Sequence, residues 1–150
     1  MMGGYIPRSK RSDWATPQHL FDVIAKDVWR RYGQKITLDV CASASNAKCL
    51  DFFNESDDGL SQVWSRSGEW WFCNPPYGRE IKHWVEKGVR ERGGIFLLPS
   101  RTDVSWFHDH LWCVNKPRRG ISIEFIRGRV RFAGANAGAP FPSMIVCVHR

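Results

Sequence analysis

The 150-residue chain contains no apolar run long enough to span a membrane, no C-x-x-C pair and no internal repeat. The first absence argues against a membrane-spanning protein, and no signal peptide is visible. The second, with five cysteines (Cys41, Cys49, Cys73, Cys113 and Cys147) lying mostly in apolar runs, argues against a disulfide frame or a zinc site. Reduced, buried thiols in a cytoplasmic protein are the expectation. His108-Asp109-His110 does not read as a metal site, because neighbouring positions on a helix face different ways. Disorder is excluded by composition: 43% of residues are hydrophobic and 13% aromatic, including eight Trp. A chain of this length forms one domain with a proper core. The expectation is a basic arm over residues 1–12 and a single domain over 13–150.

The net charge is +7, but its distribution says more than its sum. Residues 1–35 carry seven Lys/Arg against three acids, residues 36–80 three against seven, and residues 81–150 twelve against five. Basic flanks around an acidic middle suit a polyanionic partner, though a solvated surface is the plainer alternative. The arm, with Arg8, Lys10 and Arg11, reads either as a phosphate contact or as an ordinary frayed terminus.

Helical and strand patterns alternate along the rest. Thr16 as cap and Pro17 at the first helical position precede a stripe of Leu20, Phe21, Ile24 and Val28, closed by Gly33. Lys35–Cys41 reads as a strand with Asp39 at its end, since a carboxylate in an apolar run must find hydrogen bonds. Leu50–Phe53 reads as a short second strand followed by an acidic turn. Ile81, Trp84, Val85 and Val89 mark a covering helix, and Ile95–Leu98 a strand buried on both faces. A helix is expected over Val104–Val114, then a basic turn, a strand over Ile121–Ile126 and a closing strand over Pro142–Val148. Arg127, Arg129 and Arg131 alternate along an extended segment, which places three like charges on one face. The implied architecture is a mostly parallel sheet with helices on both faces.

The most informative stretch is Trp70-Trp71-Phe72-Cys73-Asn74-Pro75-Pro76-Tyr77-Gly78. An aromatic strand must end at the two prolines, which hold φ and donate no hydrogen bond. Asn74 and Tyr77 are thereby presented at the carboxyl end of a strand, where α/β sheets bind ligands. Some of the eight Trp must be core, but Trp70, Trp71 and Trp84 lie close to this proposed site. A side-chain amide oxygen and a proline carbonyl can accept both hydrogens of an aromatic amine, and an aromatic ring beyond them can stack on an extruded base.

From Asp13 to Val148 the chain resembles the small phage-type DNA N-6-adenine methyltransferase (Dam-like) family. The matching segments are Trp14-Ala15-Thr16-Pro17, Leu38–Ser43, Asn46-Ala47-Lys48-Cys49, Asn74-Pro75-Pro76-Tyr77 and Phe125–Arg129. The resemblance implies a class I, Rossmann-like three-layer fold whose last strand runs antiparallel. It implies methyl transfer from S-adenosyl-L-methionine to adenine N-6 in double-stranded DNA, with Asn74, Pro75, Pro76 and Tyr77 as the catalytic tetrapeptide. Asp39, Ala42, Asp58, Thr16 and Pro17 would border the cofactor, Asn54 or Glu55 would take its ribose, and Arg101, Arg127 and Arg129 would contact DNA. The small-residue loop Cys41–Ser45 stands where a glycine-rich cofactor loop is usual, yet it holds no glycine. Target specificity would come from residues 100–121 and 127–143. Monomer and homodimer both remain open, as do the same chemistry on cytosine N-4 or RNA and a non-enzymatic DNA-binding relic. A phage origin, host cytoplasm and a restriction-modification role follow from the resemblance alone.

Overall fold

The computed structural model describes residues 14–150, so the expected basic arm lies outside the described residues. Helix α1 (Gln18–Tyr32) leads into strand β1 (Lys35–Asp39) and the two-residue strand β2 (Asp51–Phe52). A 3-10 turn (Gly59–Ser61), β3 (Glu69–Cys73), α2 (Ile81–Glu91) and β4 (Gly94–Pro99) follow. The chain then forms α3 (Ser105–His110), the short hairpin β5 (Trp112–Cys113) and β6 (Lys116–Pro117), and finally β7 (Ile121–Phe125) and β8 (Ser143–Val148). The six-stranded sheet has the order β2-β1-β3-β4-β8-β7. Strands β2, β1, β3 and β4 pair in parallel, whereas β8 is antiparallel to both β4 and β7. The last strand is thus antiparallel, as expected. Among the described residues no helix is long and apolar enough to cross a membrane.

The buried strands divide the core into two layers by simple alternation. Trp70, Phe72, Ile95, Leu97 and Cys147 face α1, where they meet Phe21, Ile24 and Val28. Trp71, Cys73, Phe96, Leu98, Met144 and Val146 face the opposite way, toward Trp84 and Val85 of α2 and Trp106 and Phe107 of α3. Helices therefore cover both faces. Beside α1 a groove of about 470 Å³ runs over β8, lined by Val23, Asp27, Ser122, Glu124 and Ile145. Strand β1 carries one irregularity: Ile36 packs in the α1 layer and Leu38 in the other, although they are two residues apart. A register shift against β3 between these residues accounts for the change of face.

Four local expectations are corrected. Thr16 does not cap α1: Pro17 occupies the cap position with no side-chain cap, and its carbonyl accepts from Leu20 and Phe21. The helix expected to reach Val114 stops at His110. The His108 carbonyl, which a continuing helix would bond to the Trp112 amide, instead accepts from the Arg118 guanidinium at 2.7 and 3.2 Å. Arg127–Phe132 is not a strand, because Gly128 turns the chain at φ +77°. The alternation survives in part, with Arg129 and Arg131 outward and Val130 and Phe132 buried. Trp70, Trp71 and Trp84 are core residues, with Trp71 and Trp84 both packed on the buried Trp64. All five cysteines are free; Cys73 and Cys147 are buried, but Cys113 lies exposed on the hairpin.

The fit of α2 on the sheet depends on Gly88. A β-carbon there would stand 2.2 Å from the Phe96 ring and 2.8 Å from Trp71. Alanine is the better helix former by about 1 kcal/mol, but overpacking costs about 1–3 kcal/mol. Gly88→Ala should therefore lower stability, seen as an earlier midpoint in urea unfolding followed by tryptophan fluorescence. An unchanged or later midpoint would mean that the rings have room to shift.

Candidate functional site

Because β1, β3 and β4 run in parallel, the chain segments that leave them emerge at one edge of the sheet. Residues 126–142, which join β7 to β8, lie at that same edge, since β8 begins opposite Pro99. The edge thus gathers Asp39 and the loop after it, Asn74–Tyr77, Ser100–Asp103 and the arginine-bearing connection.

Asn74 is its centre. Its Nδ2 donates to the Trp14 carbonyl and, at 3.0 Å, to the Thr16 hydroxyl. Its Oδ1 is buried and has no hydrogen-bond partner among the described residues. An unsatisfied buried acceptor costs about 1–3 kcal/mol, so it marks a place where a donor is missing. The Pro75 carbonyl likewise accepts no backbone hydrogen bond among the described residues. Two acceptors on one proline-stiffened turn suit a ligand amine. Thr16, beside them, is only 3% exposed.

Tyr77 follows on the same turn. Its hydroxyl donates to the Leu97 carbonyl at 3.2 Å, and its ring meets Phe141 edge-on with centroids 5.4 Å apart. Burial pushes the phenol far above its ordinary pKa, so it stays a neutral donor. Trp14 packs on Phe132 and Phe141 at 5.4 and 5.3 Å, and the Ala15 carbonyl accepts from the Ala133 amide at 2.9 Å. The segment before α1 and the connection after β7 therefore form one aromatic wall beside the tetrapeptide.

Asp39 is 3% exposed and ends β1, as expected. Its carboxylate accepts from the amides of Lys48 at 3.0 Å and Cys41 at 3.4 Å, and so ties both ends of the loop that carries Ala42. Burial pushes its pKa up to about 6 against the pull of these two amides. Such a charge kept desolvated is costly for a structural residue and common at binding sites. Burial also pushes the Cys41 thiol to about 12 and the Cys73 thiol well above its usual range, so neither supplies a thiolate at neutral pH. Gly59 packs closely at the same edge. A β-carbon there would stand 2.3 Å from the Val40 carbonyl. Gly59 thus packs directly on the end of β1, beside the loop that carries Ala42.

Asp58, just before it, is exposed in the left-handed region at φ 52°; its carbonyl accepts from Ser61 and its amide donates to the Glu55 carbonyl at 3.2 Å, while its carboxylate makes no hydrogen bond among the described residues. Asn54 and Asp57 satisfy each other's amides at 2.9 Å, and Glu55 is exposed. Arg101, Arg127 and Arg129 are exposed and join no ion pair among the described residues. Sequence reasoning missed the Trp14 carbonyl, Phe132, Phe141 and Gly59. Only the Trp14-Ala15-Thr16-Pro17 motif hinted at any of them.

A family model described as DNA N-6-adenine-methyltransferase (Dam) matches residues 3–147. A search of curated proteins finds no match.

The raised Asp39 pKa has a defined consequence for stability. The folded state holds this proton more tightly than the unfolded chain (about 6 against 3.8), so the contribution of this group falls as pH rises through that interval. Relative to Asp39→Asn, the wild type should lose about 1.5 kcal/mol between pH 5 and pH 8. Urea unfolding of both proteins at the two pH values measures this. A constant difference would show that Asp39 is not desolvated.

Proposed function

The chain belongs to the DNA N-6-adenine-methyltransferase (Dam) family, and from that premise we propose how this edge carries out the reaction. The protein is an adenine-specific DNA methyltransferase. In our reading the methyl donor is S-adenosyl-L-methionine, the sheet is that of a class I methyltransferase, and the target base is flipped out of double-stranded DNA. The observation that carries this reading is the buried Asn74 Oδ1, unpartnered among the described residues, on the same turn as a Pro75 carbonyl that accepts no backbone hydrogen bond there.

The residues present fit the donor. Its ammonium and sulfonium are cations, and Asp39 is a desolvated carboxylate that a cation would relieve. The small loop with Ala42, whose ends are tied by Asp39, would line the ligand. Asp58, exposed on the following turn, takes the adenine amine of the cofactor, with Thr16 and Pro17 bordering the same space. When bound, the cofactor supplies a methyl carbon made electrophilic by its sulfonium.

Asn74 Oδ1 and the Pro75 carbonyl accept the two hydrogens of adenine N-6 and draw the nitrogen from planar toward tetrahedral. This frees the lone pair that otherwise delocalises into the ring. Pro76 stiffens the turn. Tyr77 and the aromatic wall give the flipped base a face on which to stack. The N-6 nitrogen held in this way would be the nucleophile toward the methyl carbon that the cofactor would supply, and its surplus proton would pass to water. The raised thiols of Cys41 and Cys73 suit this direct attack, which needs no covalent enzyme intermediate. Arg101, Arg127 and Arg129 contact phosphate at the rim.

Two outcomes test the reading. Asn74→Ala should abolish transfer to DNA while calorimetry still shows cofactor binding; substantial turnover would remove Asn74 from the mechanism. Arg127→Ala and Arg129→Ala should each weaken DNA binding and reduce the salt slope of log K by about one. Unchanged slopes would place the DNA elsewhere.

A further inference from the structure

A side-chain amide has two ends of nearly equal size, and the end that faces a ligand is decided by what holds the other. We propose that Thr16 is a positioning residue for Asn74, and that the acceptor pair it forms with the Trp14 carbonyl selects asparagine over aspartate at position 74. The proposal rests on the catalytic role given to Asn74 above.

The Trp14 oxygen is a backbone carbonyl and can only accept. It receives Asn74 Nδ2, and the Thr16 hydroxyl receives the same nitrogen at 3.0 Å. Both amide hydrogens are thereby used on one side, which turns Oδ1 to the other side, where it is buried and unpaired. A flipped amide would set oxygen against the Trp14 carbonyl and lose that bond, leaving only the Thr16 hydroxyl, turned donor, to meet it. Thr16 is free for this task because it does not cap α1. Its place is fixed by its neighbours: Pro17 caps the helix, Ala15 is bonded to Ala133, and Trp14 is wedged against Phe132 and Phe141. The connection between β7 and β8 thus sets the orientation of a residue at the end of β3.

Aspartate at position 74 has no hydrogen to give the Trp14 carbonyl. One of its oxygens would face that carbonyl, and only the Thr16 hydroxyl, by turning donor, can meet it. The carboxylate would then lack the arrangement that points a single acceptor at the amine. This chain should therefore require asparagine.

The test combines kinetics with a spectroscopic readout. Thr16→Val removes the hydroxyl and keeps the shape; Thr16→Ser keeps the hydroxyl. Thr16→Val should lower kcat about tenfold or more, the factor expected for one lost hydrogen bond to a reacting group's holder. Thr16→Ser should restore kcat. In nitrogen-correlated NMR, the Asn74 side-chain amide pair, assigned by its loss in Asn74→Ala, should exchange slowly in the wild type. One of its protons should exchange faster in Thr16→Val and slow again in Thr16→Ser. An unchanged kcat with unchanged amide exchange in Thr16→Val would overturn the positioning role. Full turnover by Asn74→Ala, with the exchange effect present, would instead overturn the catalytic reading and leave the contact intact. Asn74→Asp asks the same question without touching Thr16, should Thr16→Val fail to fold. It should lose at least tenfold in kcat, and wild-type turnover in that variant would refute the selection of asparagine.

Discussion

The functional edge depends on one hydrogen-bonding asymmetry. Every donor of the Asn74 amide is spent on the segment before α1, and its acceptor is left buried with nothing to accept. A folded chain tolerates such an oxygen only where the surroundings hold it in place. Here the holders are a stiff Pro-Pro turn, the end of a fully buried strand, and a segment wedged between aromatic rings. The folding energy of two core layers is used to keep a single acceptor waiting for a donor. Asp39 repeats the theme with a charge, since its carboxylate is kept out of water by the strand end and the loop it ties together.

The sheet supplies the geometry. Parallel pairing of β1, β3 and β4 brings three strand ends to one rim, and the antiparallel β8 returns the β7–β8 connection to the same rim. The slip in β1 between Ile36 and Leu38 moves Leu38 to the α2 layer. Asp39, alternating with it, then points away from that layer. Arg101, Arg127 and Arg129 are exposed at the rim, whereas the acidic Asp39 is buried beneath it. A polyanion outside and a cationic ligand inside would find complementary fields.

Much of this was legible in the chain. The β3 strand and its turn could be read because aromatic residues followed by two prolines leave few alternatives, and Asp39 because an apolar run allows a carboxylate only at its end. Gly33, the stripe of α1 and the buried β4 and β8 followed from periodicity. What escaped depends on partners far along the chain. Thr16 before Pro17 looks like a helix cap; its true partner is 58 residues away. The helix from Ser105 stops early because Arg118, ten residues beyond His108, takes a carbonyl. Gly59 looked like part of an acidic turn, and only its packing on Val40 shows why a glycine stands there. Phe132 and Phe141 flank a plain small-residue loop whose sequence carries no sign of the wall they build with Trp14.

The central claim is that this rim moves a methyl group from S-adenosyl-L-methionine to the amine of a flipped adenine. The most direct measurement is to incubate the protein with mixed-sequence double-stranded DNA and methyl-labelled S-adenosyl-L-methionine, digest the DNA to nucleosides and identify the labelled species by mass. The account predicts label in N-6-methyladenine. Label in N-4-methylcytosine, or no transfer together with no cofactor binding by calorimetry, would contradict it.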